Sequence, residues 1–125
     1  MGNKTILALA VVYTCAITVL FLMPPPELPK VDLPGGTDKI VHLLIHFLLV
    51  FFWQLYSFRQ NNYRLQRKQV VFILAGSLLY GIIIELLQGY LTVSRRPDLF
   101  DVLANFGGAL TGVFTFQKIK HLFAP

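Results

Sequence analysis

Four apolar runs, over residues 6–23, 40–58, 70–91 and 99–116, take up most of this 125-residue chain. Each is close to the length a helix needs to cross a hydrocarbon core of about 30 Å, at 1.5 Å per residue. Hydrophobic residues make up 55% of the chain and charged residues 14%, and most of that charge lies between the runs, which a soluble core would not explain. The expected fold is therefore all-α: a polytopic membrane protein, a bundle of four transmembrane helices forming a single domain over 1–125. Little chain remains for a soluble appendage, so any chemistry is expected within the bundle. The first run lacks a small-x-small cleavage site and ends in Met23-Pro24-Pro25-Pro26, so it is expected to stay as a helix and not act as a cleaved signal. Cys15 is the only cysteine, which rules out an intramolecular disulfide or a cysteine metal cluster.

Charge gives the expected orientation. Seven cations, Lys4, Arg59, Arg64, Arg67, Lys68, Lys118 and Lys120, fall on one side of such a bundle, and four, Lys30, Lys39, Arg95 and Arg96, on the other. The positive-inside rule then puts both termini in the cytoplasm of a multi-pass cell-membrane protein. These cations flank apolar spans and are not interleaved with aromatics along one face, so no nucleic-acid partner is expected. Anchoring to anionic lipid accounts for them.

The same topology turns every acidic residue outward, including one inside a span. Glu85 sits about 7 Å beyond the middle of its run. A charged side chain at a bilayer centre costs roughly 2.5–3.5 kcal/mol on insertion scales, so Glu85 points to a buried polar site. Asp38, His42 and His46 are spaced i, i+4, i+8 on the second span, which places them on one helical face. Glu85 and Gln88 share a face of the third, and Asp98, Asp101 and Asn105 follow i, i+3, i+7 into the fourth. Three spans thus offer polar groups at similar depth, while the opposite half reads as apolar and offers no continuous proton relay. Gly108-x-x-x-Gly112, with Gly76 and Gly81 on the third span, favours close helix approach.

Simpler readings compete for each residue. Asp98 suits a plain helix N-cap and His46 an interior hydrogen-bonded histidine. Lys39 can snorkel to the interface, and Arg95 and Arg96 suit either interfacial anchoring or a phosphate-bearing ligand. Glu85, Asp101 and Asn105 could simply hold the bundle together as a hydrogen-bond network, although ionisable residues within a span usually mark function.

The order Asp38-Lys39-x-x-His42, Glu85-x-x-Gln88, then Arg95-x-x-Asp98-x-x-Asp101-x-x-x-Asn105-x-x-Gly108 closely resembles the VanZ-like family across nearly the whole chain. The resemblance implies a compact bacterial cell-envelope protein of about four helices, whose namesake is associated with low-level resistance to the glycopeptide antibiotic teicoplanin. It also implies distant kinship with membrane enzymes acting on lipid head groups, such as phosphatidylserine synthases and toxins that cleave the lipid-linked cell-wall precursor. The family's polar positions carry over to Asp38, His42, Glu85, Gln88, Arg95, Asp101 and Asn105. His46 departs from the pattern, because an aromatic residue is common there.

The resulting expectation is an outer-leaflet enzyme that hydrolyses or transfers a phosphate-linked head group on a membrane lipid or polyprenyl-phosphate-linked substrate. The expected catalytic residues are His42, Glu85 and Asp101, with His42 as general base because imidazole titrates near neutrality. Asp38, Lys39, Gln88, Arg95 and Asn105 are the expected substrate contacts, with Arg95 on phosphate. Glu85, Asp101 and Asn105 are candidate ligands for Mg²⁺, Mn²⁺ or Ca²⁺, and a cation-free route would use a desolvated Glu85 as the acid. Zinc fits poorly with two histidines and no cysteine at the site. The alternative class is a protein that binds or shields a lipid head group or drug without turnover.

Overall fold

The computed structural model describes residues 2–23, 36–91 and 98–125. They form four helices: α1 (Asn3–Leu22), α2 (Thr37–Gln60), α3 (Arg67–Leu91) and α4 (Leu99–Ile119), with a 3-10 turn at Lys120–Phe123. All four are long and apolar enough to cross a bilayer, and the shortest has 20 residues. At 1.5 Å per residue that helix alone reaches about 30 Å. The chain is an all-α bundle of four such helices.

Both α2 and α3 begin three residues before their apolar runs. Arg67, Lys68 and Gln69 are good helix formers, so the helix extends past the point where hydropathy falls. α4 starts at Leu99 because Asp98 caps it, its carboxylate accepting from the Phe100 amide at 2.9 Å. The α2–α3 turn needs left-handed backbone at Asn62 and Tyr63, and the Tyr63 N–H donates to Phe58 O at 2.8 Å.

Contacts along the helices fix their directions. α1 meets α2 antiparallel, with Asn3 opposite Gln60 and Tyr13 Oη donating to Ile45 O at 2.7 Å. It runs parallel to α3, where the Thr18 and Tyr80 hydroxyls lie 2.7 Å apart and Gln88 Nε2 donates to Phe21 O at 2.8 Å. α2 and α4 are parallel and are the most extensively packed pair.

Glycine makes that packing possible. A Cβ on Gly108 would run into the Leu43 carbonyl oxygen, and one on Gly112 would lie 2.8 Å from Phe47 O. The Gly108/Gly112 pair therefore lays α4 directly on the backbone of α2. Ile17, Phe21, Leu49 and Ile84 join α1, α2 and α3 in an apolar cluster. Large apolar residues such as Val12, Phe72 and Phe114 point outward, as lipid-facing helices require.

Candidate functional site

The helix directions bring the C-terminal ends of α1 and α3 together with the N-terminal ends of α2 and α4. The buried polar residues His42, Glu85, Gln88 and Asn105 gather there, each no more than 8% exposed. Their positions follow from helical periodicity. His42 and His46 lie on the buried face of α2, Glu85 and Gln88 on that of α3, and Asn105 on the α4 face that carries Gly108.

Asn105 Oδ1 lies 3.0 Å from His42 Nδ1. Because the amide oxygen is an acceptor, this contact suits the neutral tautomer with its proton on Nδ1, in which the Nε2 lone pair is free. That nitrogen faces Asp101, with Oδ2 at 3.9 Å. The Phe21 ring, 5.0 Å away centroid to centroid, covers one side of the imidazole.

Glu85 ties α3 to the start of α4. Its Oε1 accepts the Asp98 backbone N–H at 2.9 Å, whereas its Oε2 is buried with no hydrogen-bond partner. An orphaned carboxylate oxygen in a buried setting is costly unless something further binds it. Ligand atoms from His42, Glu85 and Asp101 all lie within 4.8 Å of one another, close enough to share one cation. Two carboxylates suit a divalent cation, and the imidazole nitrogen beside them either completes the donor set or stays free as a base. In the expected set of Glu85, Asp101 and Asn105, the structure turns the Asn105 oxygen to the His42 ring and brings the His42 nitrogen toward the two acids.

Lys39 stands at the entrance. Its ammonium donates to Asp101 Oδ1, to Asp98 Oδ2 at 2.7 Å and to Asp38 Oδ2 at 3.0 Å. It is held among carboxylates, so simple snorkelling does not describe it. Together with the Phe100 amide, it holds the Asp98 carboxyl below the usual carboxylate range. Asp98 is thus cap, ion-pair partner and, through its backbone, donor to Glu85. Asp38 stays largely solvent-facing, and Arg95 and Arg96 lie outside the described residues.

Below this layer His46 is fully buried, and neither ring nitrogen makes a well-formed hydrogen bond. Tyr80 and Phe21 flank it, and its Nε2 would sit 3.3 Å from a Cβ at Gly81. The expected interior hydrogen bond is reduced to a weak contact with the His42 backbone one turn earlier.

Buried polarity also extends further than the sequence reading allowed. Gln54 and Ser77 are buried in the half that reads as apolar, and Gln54 Nε2 donates to Gly112 O at 3.3 Å. Gln54 lies eight residues after His46 on the same α2 face, a spacing that would have revealed it. Val50, Phe58 and Phe116 pack on that side as well, so it remains mainly apolar.

No protein-family model, curated protein or solved structure matches the chain.

Proposed function

We propose that this chain is a VanZ-like enzyme of the bacterial cell membrane, with both termini cytoplasmic, acting at the outer leaflet on phosphate-linked lipid head groups. The observation that carries the reading is the convergence of His42, Glu85 and Asp101 at one end of a membrane bundle, with Glu85 Oε2 buried and unpartnered. A buried carboxylate oxygen without a partner is a poor structural device and a good binding one.

In this mechanism His42 Nε2 takes a proton from water or an acceptor alcohol. The activated oxygen attacks phosphorus, a new P–O bond forms, and the bond to the leaving oxygen breaks. The proton returns from His42 to that leaving group. Asn105 is a positioning residue, because its bond to Nδ1 keeps the basic nitrogen toward the carboxylates. Glu85 and Asp101 would hold a divalent cation such as Mg²⁺, Mn²⁺ or Ca²⁺, which when bound supplies charge neutralisation to the phosphate oxygens. Lys39 and Arg95 serve the anionic head group, and Asp38 and Gln88 border its path. Any link to glycopeptide resistance would follow from changed envelope lipids.

The test uses purified chain in nanodiscs holding phospholipids and polyprenyl-phosphate-linked precursors, with each cation added in turn and products followed by mass spectrometry. Head-group release or exchange that His42→Ala abolishes, in protein of unchanged helicity, supports the reading. Saturable head-group binding with no product replaces it with a binding or shielding role. Tight cation binding that is lost in His42→Ala while turnover persists removes the base assignment.

A further inference from the structure

A second feature lies at the opposite end of the bundle, away from His42 and independent of the proposed chemistry. Two adjoining cavities, of about 300 Å³ and about 450 Å³, open between α2 and α3 and share Trp53, Phe72 and Ile73. They form one groove, bounded by Tyr80 toward the bundle centre and by Lys68 at its mouth. Its walls are chiefly aliphatic and aromatic. Trp53 is fixed in place, its Nε1 donating to Thr14 Oγ1 at 3.1 Å, so one wall is preformed. Gly76 lines the groove, and a Cβ added there would meet nothing within 4 Å.

We infer that this groove binds one acyl chain of an anionic phospholipid, with the lipid phosphate at Lys68. Length is the first argument. From Lys68 to Tyr80 is twelve residues of helix, about 18 Å, close to the ~15 Å depth of a single leaflet. Volume agrees, since the inner cavity alone, at about 300 Å³, has room for on the order of ten water-sized groups at ~30 Å³ each, enough for much of one acyl chain.

Charge selects the head group. Lys68 is exposed and makes no ion pair among the described residues, and Arg64 and Arg67 lie in the same acid-free stretch. Polybasic segments beside membrane spans attract anionic lipid. Tyr56 and Trp53 flank the mouth, the residue types that favour the interfacial depth.

Trp53 is the chain's only tryptophan and lines both cavities, so it reports occupancy directly. The full chain is reconstituted in phosphatidylcholine vesicles containing rising fractions of brominated phosphatidylglycerol or, separately, brominated phosphatidylcholine, and Trp53 quenching is recorded. Brominated phosphatidylglycerol is expected to reach half-maximal quenching at an about fivefold lower mole fraction, the preference one cation confers at an anionic surface. Lys68→Gln should bring the two lipids level. Gly76→Leu, which fills the groove, should reduce quenching by both. Equal quenching by the two lipids in the wild-type chain would mean ordinary annular contact and overturn the proposal, as would wild-type quenching in Gly76→Leu of unchanged helicity. If Gly76→Leu loses helicity, the exposed Lys68→Gln variant decides the matter alone.

Discussion

Gly107 and Gly108 are neighbours in α4, yet alanine should act on them with opposite sign. At Gly107 an added Cβ has nothing within 4 Å, and only backbone entropy changes. Alanine restricts the unfolded chain and favours helix, so Gly107→Ala should stabilise by about 0.5–1 kcal/mol. At Gly108 the new carbon would collide with the Leu43 carbonyl, a backbone atom that cannot rotate away. Relief requires α4 to move off α2, an overpacking cost of about 1–3 kcal/mol that outweighs the gain in propensity. Asn105 lies three residues earlier on the same helix, so its 3.0 Å contact with His42 should open as well. Gly112→Ala, with its Cβ 2.8 Å from Phe47 O, should fall between the two. Unfolding in mixed micelles, followed by circular dichroism against denaturing detergent, measures all three variants. Equal stability of Gly107→Ala and Gly108→Ala would refute the backbone seam and, with it, the account of how Asn105 reaches His42.

Other consequences are equally concrete. Asn105→Leu removes the acceptor that orients His42 and should lower turnover by about 100-fold with little change in KM, as misplacement by about 1 Å does; a loss confined to KM would contradict a positioning role. His46→Phe deletes two buried nitrogens that make no well-formed hydrogen bond and should leave the bundle as stable or more so, by up to about 1–3 kcal/mol, with activity retained; thermal melting and the head-group assay report the two effects. Asp98 gives a pH dependence of known sign. Its carboxyl is held below the ordinary value of 3.8, so its contribution is present above that value and lost as pH falls through the lowered one. Amide exchange at Phe100, after correction for intrinsic rates, should therefore accelerate as the solution is acidified below that value. The acceleration should be absent in Asp98→Ala.

The four spans were legible because a bilayer demands long apolar helices, and that pattern is local to the chain. Asp98 as a cap and the grouping of His42 with Glu85 and Asp101 were legible for the same reason, through spacing and depth. Partner choice was not. The sequence motif of Gly108 and Gly112 marks a close approach without naming α2 as the neighbour, and only the fold turns Asn105 toward the His42 ring. Lys39 reads in sequence as a substrate contact or an interfacial cation, and becomes the clasp of three carboxylates once α2 and α4 meet. Gln54 continues the α2 face of His42 and His46, but the run around it is apolar, so spacing marks it while composition conceals it. The α2–α3 groove had no signal at all: it is space between helices, and no residue type encodes space.

The decisive measurement is the rate of head-group release or exchange by the wild-type chain and by Glu85→Gln, matched for helicity, in nanodiscs with the phosphate-linked lipids and each divalent cation. Glu85→Gln keeps an oxygen that can accept the Asp98 amide and loses only the charge, so the bundle should stay intact. The account predicts product from the wild-type chain and none from Glu85→Gln. Equal product from both, or none from either, would contradict it.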